Sequence, residues 1–444
     1  MAKALRRGEG SRLEVGFLRA SVVRAVGVVA LVVPLLAGVA FQSAAAQDDE
    51  PLRIGTIFPF TGDLSDFGPN FYNAAELAVT QINEAGGVNG QPIELLRGDS
   101  ATSPQQTVEE ARRLIDIEGA DAIIGGVASG EALQLVESVA GPDGVLVISP
   151  SATSPALTTV NDNDFFFRTT ISDAAQGVVM ADVARELGYQ SACVLYLNSA
   201  YGQGLTEAFV AEFTAQGGEV TNQVPHEQEQ ASYASELAAC TEGNPDVLVG
   251  VSYPESAGVY LRELVESGEA PALLLSDGLR SEDLFEGLGW EAFEGTVGTS
   301  PGSVATETGD AFRAAMVETY GELPSVPYLA EVYDAVYLIA LAAEAASSSD
   351  SAAIRDALRD VAADGTVVMP GAEGFAAAVE AIGAGEDIDY EGASGSLDFD
   401  ENGDVARGAI VVWQVADGAI TVVETRPLDL TGGAMASPEA TPTA

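Results

Sequence analysis

The chain has 444 residues with 19 basic and 67 acidic side chains, one histidine and two cysteines, and its formal net charge at pH 7 is −48. So acidic a surface repels a polyanion, which excludes nucleic acid as a partner. One histidine and two cysteines exclude a metal site rich in those residues, and we expect no cofactor. The apolar content of 47% is that of a globular protein, and the length suits two or three domains.

The first 46 residues have the features of a secretory signal peptide. Five arginines precede the apolar run Ala25–Phe41, and Ala44, Ala45 and Ala46 form a small-residue end. The run also approaches the length of a membrane span, so an uncleaved anchor is the alternative. Either reading predicts an exported protein, in the periplasm or at the outer face of the cytoplasmic membrane. Cleavage after Ala46 removes six basic and two acidic residues, which brings the net charge to −52.

From about residue 52 to 300, short apolar runs alternate with helical patterns. The predicted strands are Leu52–Phe58, Ile93–Leu96, Ala122–Gly125, Val145–Ser149, Ala192–Leu197, Val247–Val251 and Leu273–Leu275. One of the helices between them has Ser103 as its N-cap and Pro104 at its first position. This alternation predicts an α/β protein with parallel sheets and helices on both faces.

The last third of the chain has a weaker pattern. An apolar helix is predicted at Tyr328–Ala346, a looser stretch at Thr366–Glu391, and late strands at Ser394–Phe399 and Ala409–Val415. The small, polar residues 429–444 are predicted to be a disordered tail.

The acidic turn Asp398–Asp404 resembles the start of a calcium-binding EF-hand loop. The twelfth position counted from Asp398 holds Ala409 instead of the closing glutamate. We therefore expect an ordinary hairpin turn and no metal site.

Cys193 opens a predicted strand and Cys240 ends a predicted helix. In a parallel α/β layout both would lie near the same edge of the sheet, and an exported protein can keep a disulfide. The sequence leaves open whether the two form a bridge or are buried free thiols.

The loops that follow the strands carry the candidate ligand-binding residues, since ligands of open α/β sheets bind beyond the carboxyl ends of the strands. Ser129 and Thr153 offer hydroxyls, Tyr201 and Tyr253 offer aromatic rings, and Asp277 offers a lone carboxylate. Taken singly, Ser129 is also explained as a helix N-cap and Tyr201 as surface packing. Together they supply what a free amino acid requires: donors for its carboxylate, an acid for its ammonium and aromatics for an apolar side chain.

The sequence resembles the branched-chain amino acid binding proteins of ABC transporters, in the type I periplasmic binding protein superfamily. The resemblance covers about residues 52–426. The matching segments are Ile54–Gly62, Gln81–Gly90, Ile124-Gly125, Ser149–Thr153, Tyr201–Gly204, Tyr253–Glu255 and Tyr333–Ala335.

The resemblance implies two Rossmann-like lobes with parallel-sheet cores, which are joined by hinge strands and close on a ligand. The first lobe would hold residues 52–170 and 301–408, and the second lobe residues 171–300 and 409–428. Departures from the family concern the side-chain pocket. Asp277 stands where glutamate is common, and Ser252 stands where an aromatic is frequent.

The resemblance also implies roles for single residues. Ser129 and Thr153, with the backbone near Ser151 and Ala152, would bind the ligand carboxylate. Asp277 would face the ammonium. The aromatic residues of the side-chain pocket would be Phe67, Tyr201 and Tyr328, and Tyr253 is a further ligand-binding candidate from its loop.

These residues predict a monomeric solute-binding protein that delivers an amino acid to an ABC permease. The alternative is a ligand-sensing domain for amides, urea or small aromatic acids that acts through a partner protein. An enzyme is not expected, because neither Ser129 nor Ser151 lies in a G-x-S-x-G motif. The only histidine, His226, lies in a polar stretch that predicts an exposed loop.

Overall fold

The computed structural model describes residues 50–268 and 271–431. The signal peptide predicted at 1–46 lies outside the described residues. The tail predicted at 429–444 lies outside them from residue 432 onward.

The strands and helices alternate along most of the described chain. The strands are β1 (Arg53–Phe58), β2 (Glu94–Asp99), β3 (Ala122–Gly125), β4 (Leu146–Ser149), β5 (Phe166–Arg168), β6 (Ser191–Leu197), β7 (Glu219–His226), β8 (Val247–Val251), β9 (Ala272–Leu275), β10 (Val297–Gly302), β11 (Thr366–Val368), β12 (Ile388–Tyr390), β13 (Arg407–Ala416) and β14 (Ala419–Asp429).

The helices are α1 (Gly68–Glu84), α2 (Pro104–Asp116), α3 (Ser129–Leu135), α4 (Gly141–Asp143), α5 (Asp173–Glu186), α6 (Ala200–Ala215), α7 (Ala234–Thr241), α8 (Pro254–Ser267), α9 (Glu282–Leu288), α10 (Glu307–Tyr320), α11 (Leu329–Ala346), α12 (Ser351–Leu358) and α13 (Ala372–Ala384). Ser103 caps α2 as predicted, by accepting a hydrogen bond from the backbone N–H of Gln106.

The first sheet has the strand order β2-β1-β3-β4-β5, and all its pairs are parallel. Every residue of β3 and β4 is buried, which is typical of parallel strands covered on both faces. We call this sheet the first lobe, together with α1–α4 and α10–α13, which pack on it or on each other.

The second sheet has the strand order β14-β13-β10-β9-β8-β6-β7. Its pairs are parallel except β10–β13 and β13–β14, which are antiparallel. We call this sheet the second lobe, together with α5–α9. The α/β class with parallel-sheet cores predicted from the sequence is confirmed.

The chain passes between the lobes three times, at residues 169–172, 303–306 and just before β13. These three crossings bring the carboxyl ends of the strands of both sheets toward the same junction. The movement of the lobes about the crossings stays a prediction.

Two expectations for the last third of the chain are wrong. Residues Ser394–Phe399 form isolated bridges instead of a strand. The carboxylate of Asp334 accepts the backbone N–H groups of Ala393 and Ser394, and the edges of β13 are already taken by β10 and β14. The stretch Thr366–Glu391 is not loose: it contains β11, α13 and β12, whose small residues gave a weak pattern.

The exposed loop predicted around His226 is also wrong. His226 ends β7 and is 2% exposed, with its ring against Tyr233 and Tyr260 at centroid distances of 5.2 and 5.8 Å. Burial lowers the pKa of the imidazole. The prediction failed because the polar residues that follow His226 are typical of a loop, whereas His226 itself ends a strand and points into the core.

Cys193 on β6 and Cys240 on α7 form a disulfide, with their Cα atoms 5.5 Å apart. The bond ties the helix to the sheet and closes a loop with a sequence separation of 47 residues. A cross-link of this kind stabilises the fold mainly by restricting the unfolded chain.

Replacing both Cys193 and Cys240 by alanine is expected to lower the free energy of unfolding by about 2–4 kcal/mol, the usual effect of removing a disulfide. Urea unfolding monitored by circular dichroism measures the change. A reducing agent should destabilise the wild-type protein by a similar amount and leave the double variant unaffected. A double variant as stable as the oxidised wild type would contradict the prediction.

Candidate ligand-binding site

A small cavity lies where the strand-end loops of the two lobes meet. The first lobe contributes the loops after β1, β3 and β4, and the second lobe contributes those after β6, β8 and β9. The space that the centre of a water-sized sphere can reach is about 20 Å³, so the walls lie close together. Its lining residues are Leu64, Phe67, Val127, Ser129, Ser151, Tyr201, Tyr253, Asp277, Gly278 and Tyr328.

Ser129 is the first-lobe hydroxyl best placed to bind a ligand. Its Oγ accepts a hydrogen bond from the backbone N–H of Ser154 at 3.2 Å, which leaves its own hydrogen for another acceptor. The hydroxyl of Ser151 instead donates to the carbonyl oxygen of Val127 at 3.0 Å. Both side chains are buried. The loop is held by the buried Glu131, which accepts the backbone N–H of Ala128 at 3.0 Å.

Asp277 is a buried carboxylate in the cavity wall, only 4% exposed. Its Oδ1 accepts hydrogen bonds from Tyr201 Oη at 2.8 Å and Gln176 Nε2 at 2.9 Å, and its Oδ2 accepts one from Tyr328 Oη at 2.6 Å. Burial raises the pKa of Asp277, and these three donors act against that rise. Asp277 lies just after the end of β9. The next residue is Gly278, where a Cβ would come within 2.4 Å of the carbonyl oxygen of Ser252, so this close approach of the two loops requires glycine.

A second buried carboxylate, that of Asp173, lies close to the first. It is fully buried, and its Oδ2 accepts the hydroxyl of Thr153 at 2.8 Å. Its Oδ1 has no hydrogen-bond partner among the described residues. Burial, and the charge of Asp277, raise the pKa of Asp173 well above its ordinary value. Asp173 begins α5, and Gln176 on the same helix donates to Asp277.

Aromatic side chains form much of the remaining wall. The rings of Tyr201 and Tyr253 stack with their centroids 5.4 Å apart. Phe67 and Leu64 line the opposite, first-lobe side. Tyr328 has a φ of 71°, a left-handed conformation that is unfavourable for a bulky residue. Its hydrogen bond to Asp277 helps to hold it there.

The two lobes touch each other around the cavity. Ser256 on α8 donates to Asp63 Oδ2 at 2.6 Å, and Ser281 donates to Asp66 Oδ2 at 2.8 Å. On the other side, Ser154 Oγ donates to the carbonyl oxygen of Ala200 at 2.9 Å. Burial of Asp63 against the second lobe raises its pKa to about 6. These contacts describe a closed arrangement of the lobes.

The structure brings most of the sequence-predicted ligand-binding residues together. Seven of the nine line the cavity: Phe67, Ser129, Ser151, Tyr201, Tyr253, Asp277 and Tyr328. Ala152 and Thr153 are buried behind the wall. Sequence reasoning missed Asp173 and Gln176. Asp173 follows the N-cap Ser172 and resembles an ordinary acid in the first turn of a helix, so no sequence signal marks it.

The acidic turn Asp398–Asp404 uses its carboxylates within the protein. Asp400 accepts the backbone N–H groups of Asn402 and Asp404, and Asp404 pairs with Arg168. No cluster of three or more histidine, cysteine or carboxylate residues suited to a metal ion occurs within residues 50–268 and 271–431.

The chain belongs to the periplasmic binding protein family, whose sequence profile matches residues 51–383. More narrowly, it is a periplasmic binding protein of the Leu/Ile/Val-binding type. It is 29% identical over 394 residues to the Leu/Ile/Val-binding protein homolog 3 of Brucella melitensis. The alignment covers 88% of this chain and 98% of that relative.

A second relative is the chemotactic signal transduction system substrate-binding protein BasB of Halobacterium salinarum. It is 28% identical over 389 residues, covering 85% of this chain and 90% of the relative. The relatives are substrate-binding proteins rather than enzymes.

Solved structures show the same type I periplasmic binding protein fold. The leucine-binding protein LivK of Thermotoga maritima superposes with a TM-score of 0.72 at 26% identity, covering 84% of this chain and 98% of that one. An ABC-transporter solute-binding protein from R. palustris, in complex with benzoate, superposes with a TM-score of 0.71 at 19% identity, covering 86% and 98%. The second likeness shows the fold alone. Among the described residues, no helix is long and apolar enough to cross a membrane.

Proposed function

We propose that this protein is exported, captures a branched-chain or related small amino acid between its lobes, and delivers it to an ABC permease. The observation that carries the proposal is the pair of buried carboxylates, Asp173 and Asp277, at a cavity that also offers a free hydroxyl and apolar walls.

The carboxylate pair favours a ligand with an ammonium group. Asp277 lines the cavity and would contact the ammonium directly, while Asp173 lies behind the wall and interacts electrostatically with Asp277. An ammonium bound at Asp277 would favour the ionised form of the carboxylates and offset the cost of burying two like charges. A purely anionic ligand such as a small aromatic acid would instead be repelled by them.

The hydrogen bonds of Thr153 and Ser129 favour a different role for each hydroxyl from the shared one predicted from the sequence. Thr153 lies behind the wall and donates its hydrogen to Asp173, so it would hold Asp173 in place instead of donating to the ligand carboxylate. Ser129, whose hydrogen is free, would donate to the ligand carboxylate. A zwitterion would thus lie with its carboxylate toward α3 and its ammonium toward α5 and Asp277.

The rest of the cavity offers apolar contacts for a ligand side chain. Leu64, Phe67 and Tyr253 line it with carbon-rich surface. The contacts of Asp63 and Asp66 with the second lobe would form only on closure. A permease could therefore distinguish the loaded, closed protein from the open one.

A second candidate function is a binding component that reports an amino acid to a chemotaxis receptor. The relationship to BasB over 85% of the chain favours it. Both functions use the same ligand site. Capture of the ligand-loaded protein by a purified permease, and not by a receptor ectodomain, would support transport.

Asp277→Asn is expected to weaken binding of the best amino acid ligand by on the order of 2–5 kcal/mol, the scale for removing one partner of a buried charge pair. Asparagine keeps the size of the side chain and removes its charge. Isothermal titration calorimetry measures the affinity, after a thermal-shift screen of the free amino acids and small aromatic acids has identified the ligand.

The matched control is Asp283→Asn, an exposed acid at the start of α9 outside the cavity, which should leave the affinity unchanged. Because burial raises the pKa of Asp277, its variant should be at least as thermally stable as the wild type. Wild-type affinity in Asp277→Asn would remove Asp277 from the site. Stabilisation by aromatic acids alone would overturn the amino acid proposal.

Affinity for the amino acid is expected to fall as the pH is lowered. Burial raises the pKa of both Asp173 and Asp277 in the empty site, and an ammonium binds best to the ionised carboxylates, so binding releases protons. Calorimetry in two buffers with different ionisation enthalpies counts those protons. The same heat in both buffers, with affinity constant from pH 5 to 8, would contradict the prediction.

A further inference from the structure

Arg168, the last residue of β5, is a fully buried guanidinium behind the candidate ligand loop. Asp404 binds one edge of it through two hydrogen bonds, from Nη2 to Oδ2 at 2.7 Å and from Nε to Oδ1. Thr158 Oγ1 completes the arrangement, accepting from Nη2 and donating to Asp404 Oδ2, each at 2.7 Å. Bidentate pairs of this kind fix geometry as well as charge.

The remaining donor group of Arg168 is aimed at the ligand loop, residues 150–155. Its Nη1 donates to the carbonyl oxygens of Ala152 at 3.2 Å and Ser154 at 3.0 Å. These two residues flank Thr153, the residue that contacts Asp173. The N–H of Ser154 in turn donates to Ser129. One side chain therefore sets the backbone course of the loop on both sides of Thr153.

The same pair is attached to two of the crossings between the lobes. Arg168 immediately precedes the crossing at 169–172, and Asp404 lies just before the crossing that leads into β13. The backbone N–H of Arg168 also donates to the carbonyl oxygen of Gly403 at 3.0 Å. Gly403 has a φ of 75°, and a Cβ there would come within 2.5 Å of the carbonyl oxygen of Phe166. The close approach of the two segments depends on that glycine.

We infer that Arg168, held by Asp404, is a positioning residue that fixes the ligand loop and couples it to the hinge crossings. The acidic turn Asp398–Asp404 thereby serves the ligand site by anchoring this arginine. Arg168 does not line the cavity, so it acts through the loop and not by contact with the ligand. This inference rests on the proposed function.

The experiment compares Arg168→Lys with Arg426→Lys. Lysine keeps the charge of Arg168 but cannot span Asp404 and the two carbonyl oxygens. Arg426 is a matched control: it is nearly buried and pairs with Glu186 and Glu424 in the second lobe, away from the loop. Each protein is assayed for L-leucine affinity by calorimetry, for thermal stability, and for hydrogen–deuterium exchange of the backbone amides in residues 150–155 without ligand.

Arg168→Lys is expected to bind L-leucine at least tenfold more weakly than the wild type and to exchange the loop amides at least tenfold faster. Arg426→Lys should stay within twofold of the wild type in both affinity and exchange rate, even if its melting temperature falls as much as that of Arg168→Lys. If Arg168→Lys does not fold, Asp404→Asn and Thr158→Val replace it. They loosen the same network from its other members, and we expect a weaker effect in the same direction.

Wild-type affinity and wild-type loop exchange in the folded Arg168 or Asp404 variants would overturn the inference. The inference would also be overturned if Arg168→Lys and Arg426→Lys, with equal melting temperatures, lost affinity and loop protection to the same extent. Failure of the wild-type protein to bind L-leucine would count against leucine as the ligand and not against the positioning role. In that case the exchange rates of residues 150–155 decide the inference by themselves.

Discussion

The site depends on one costly constraint, the burial of two carboxylates next to each other. An ionised acid without water is destabilising unless donors or an opposite charge surround it. Tyr201, Tyr328 and Gln176 supply donors to Asp277, and Thr153 supplies one to Asp173. One oxygen of Asp173 remains without a partner among the described residues. A ligand ammonium would stabilise this arrangement further, which is why we infer a zwitterion.

The hydrogen-bond donors to these two carboxylates come from elements far apart in the sequence. Helix α5, which begins directly after the first crossing between the lobes, carries both Asp173 and the Gln176 amide. Tyr328 comes from the segment before α11 and holds a strained backbone to reach Asp277. The site is therefore assembled at the junction of the lobes. Binding there and closure of the lobes are expected to be linked, because each stabilises the other.

The rule that ligands bind at the carboxyl ends of parallel strands was enough to predict from the sequence that Ser129 and Asp277 lie at the same place in the fold, and both line the cavity. Each follows a short apolar run that the pattern identifies as a strand. Asp173 could not be found in this way, since it opens a helix and only the fold brings it next to Asp277. His226 was misplaced for a related reason: polar neighbours along the chain do not show which way a strand-end side chain points.

The acidic turn Asp398–Asp404 illustrates how a motif can resemble one function and serve another. Its spacing of carboxylates resembles a calcium loop, but the structure uses Asp400 to fold the turn and Asp404 to hold Arg168. The partner lies 236 residues earlier in the chain. No local pattern reports a pairing at that separation, whereas the tertiary contact shows it at once.

The central claim is that the site recognises an ammonium, and a matched pair of ligands tests it most directly. L-leucine and 4-methylpentanoate share the carboxylate and the side chain, and only leucine has the ammonium. Calorimetric titration of the wild-type protein should give an affinity for leucine at least about 100-fold higher, the effect of losing a buried charge pair. Equal affinities, or tighter binding of 4-methylpentanoate, would contradict the account.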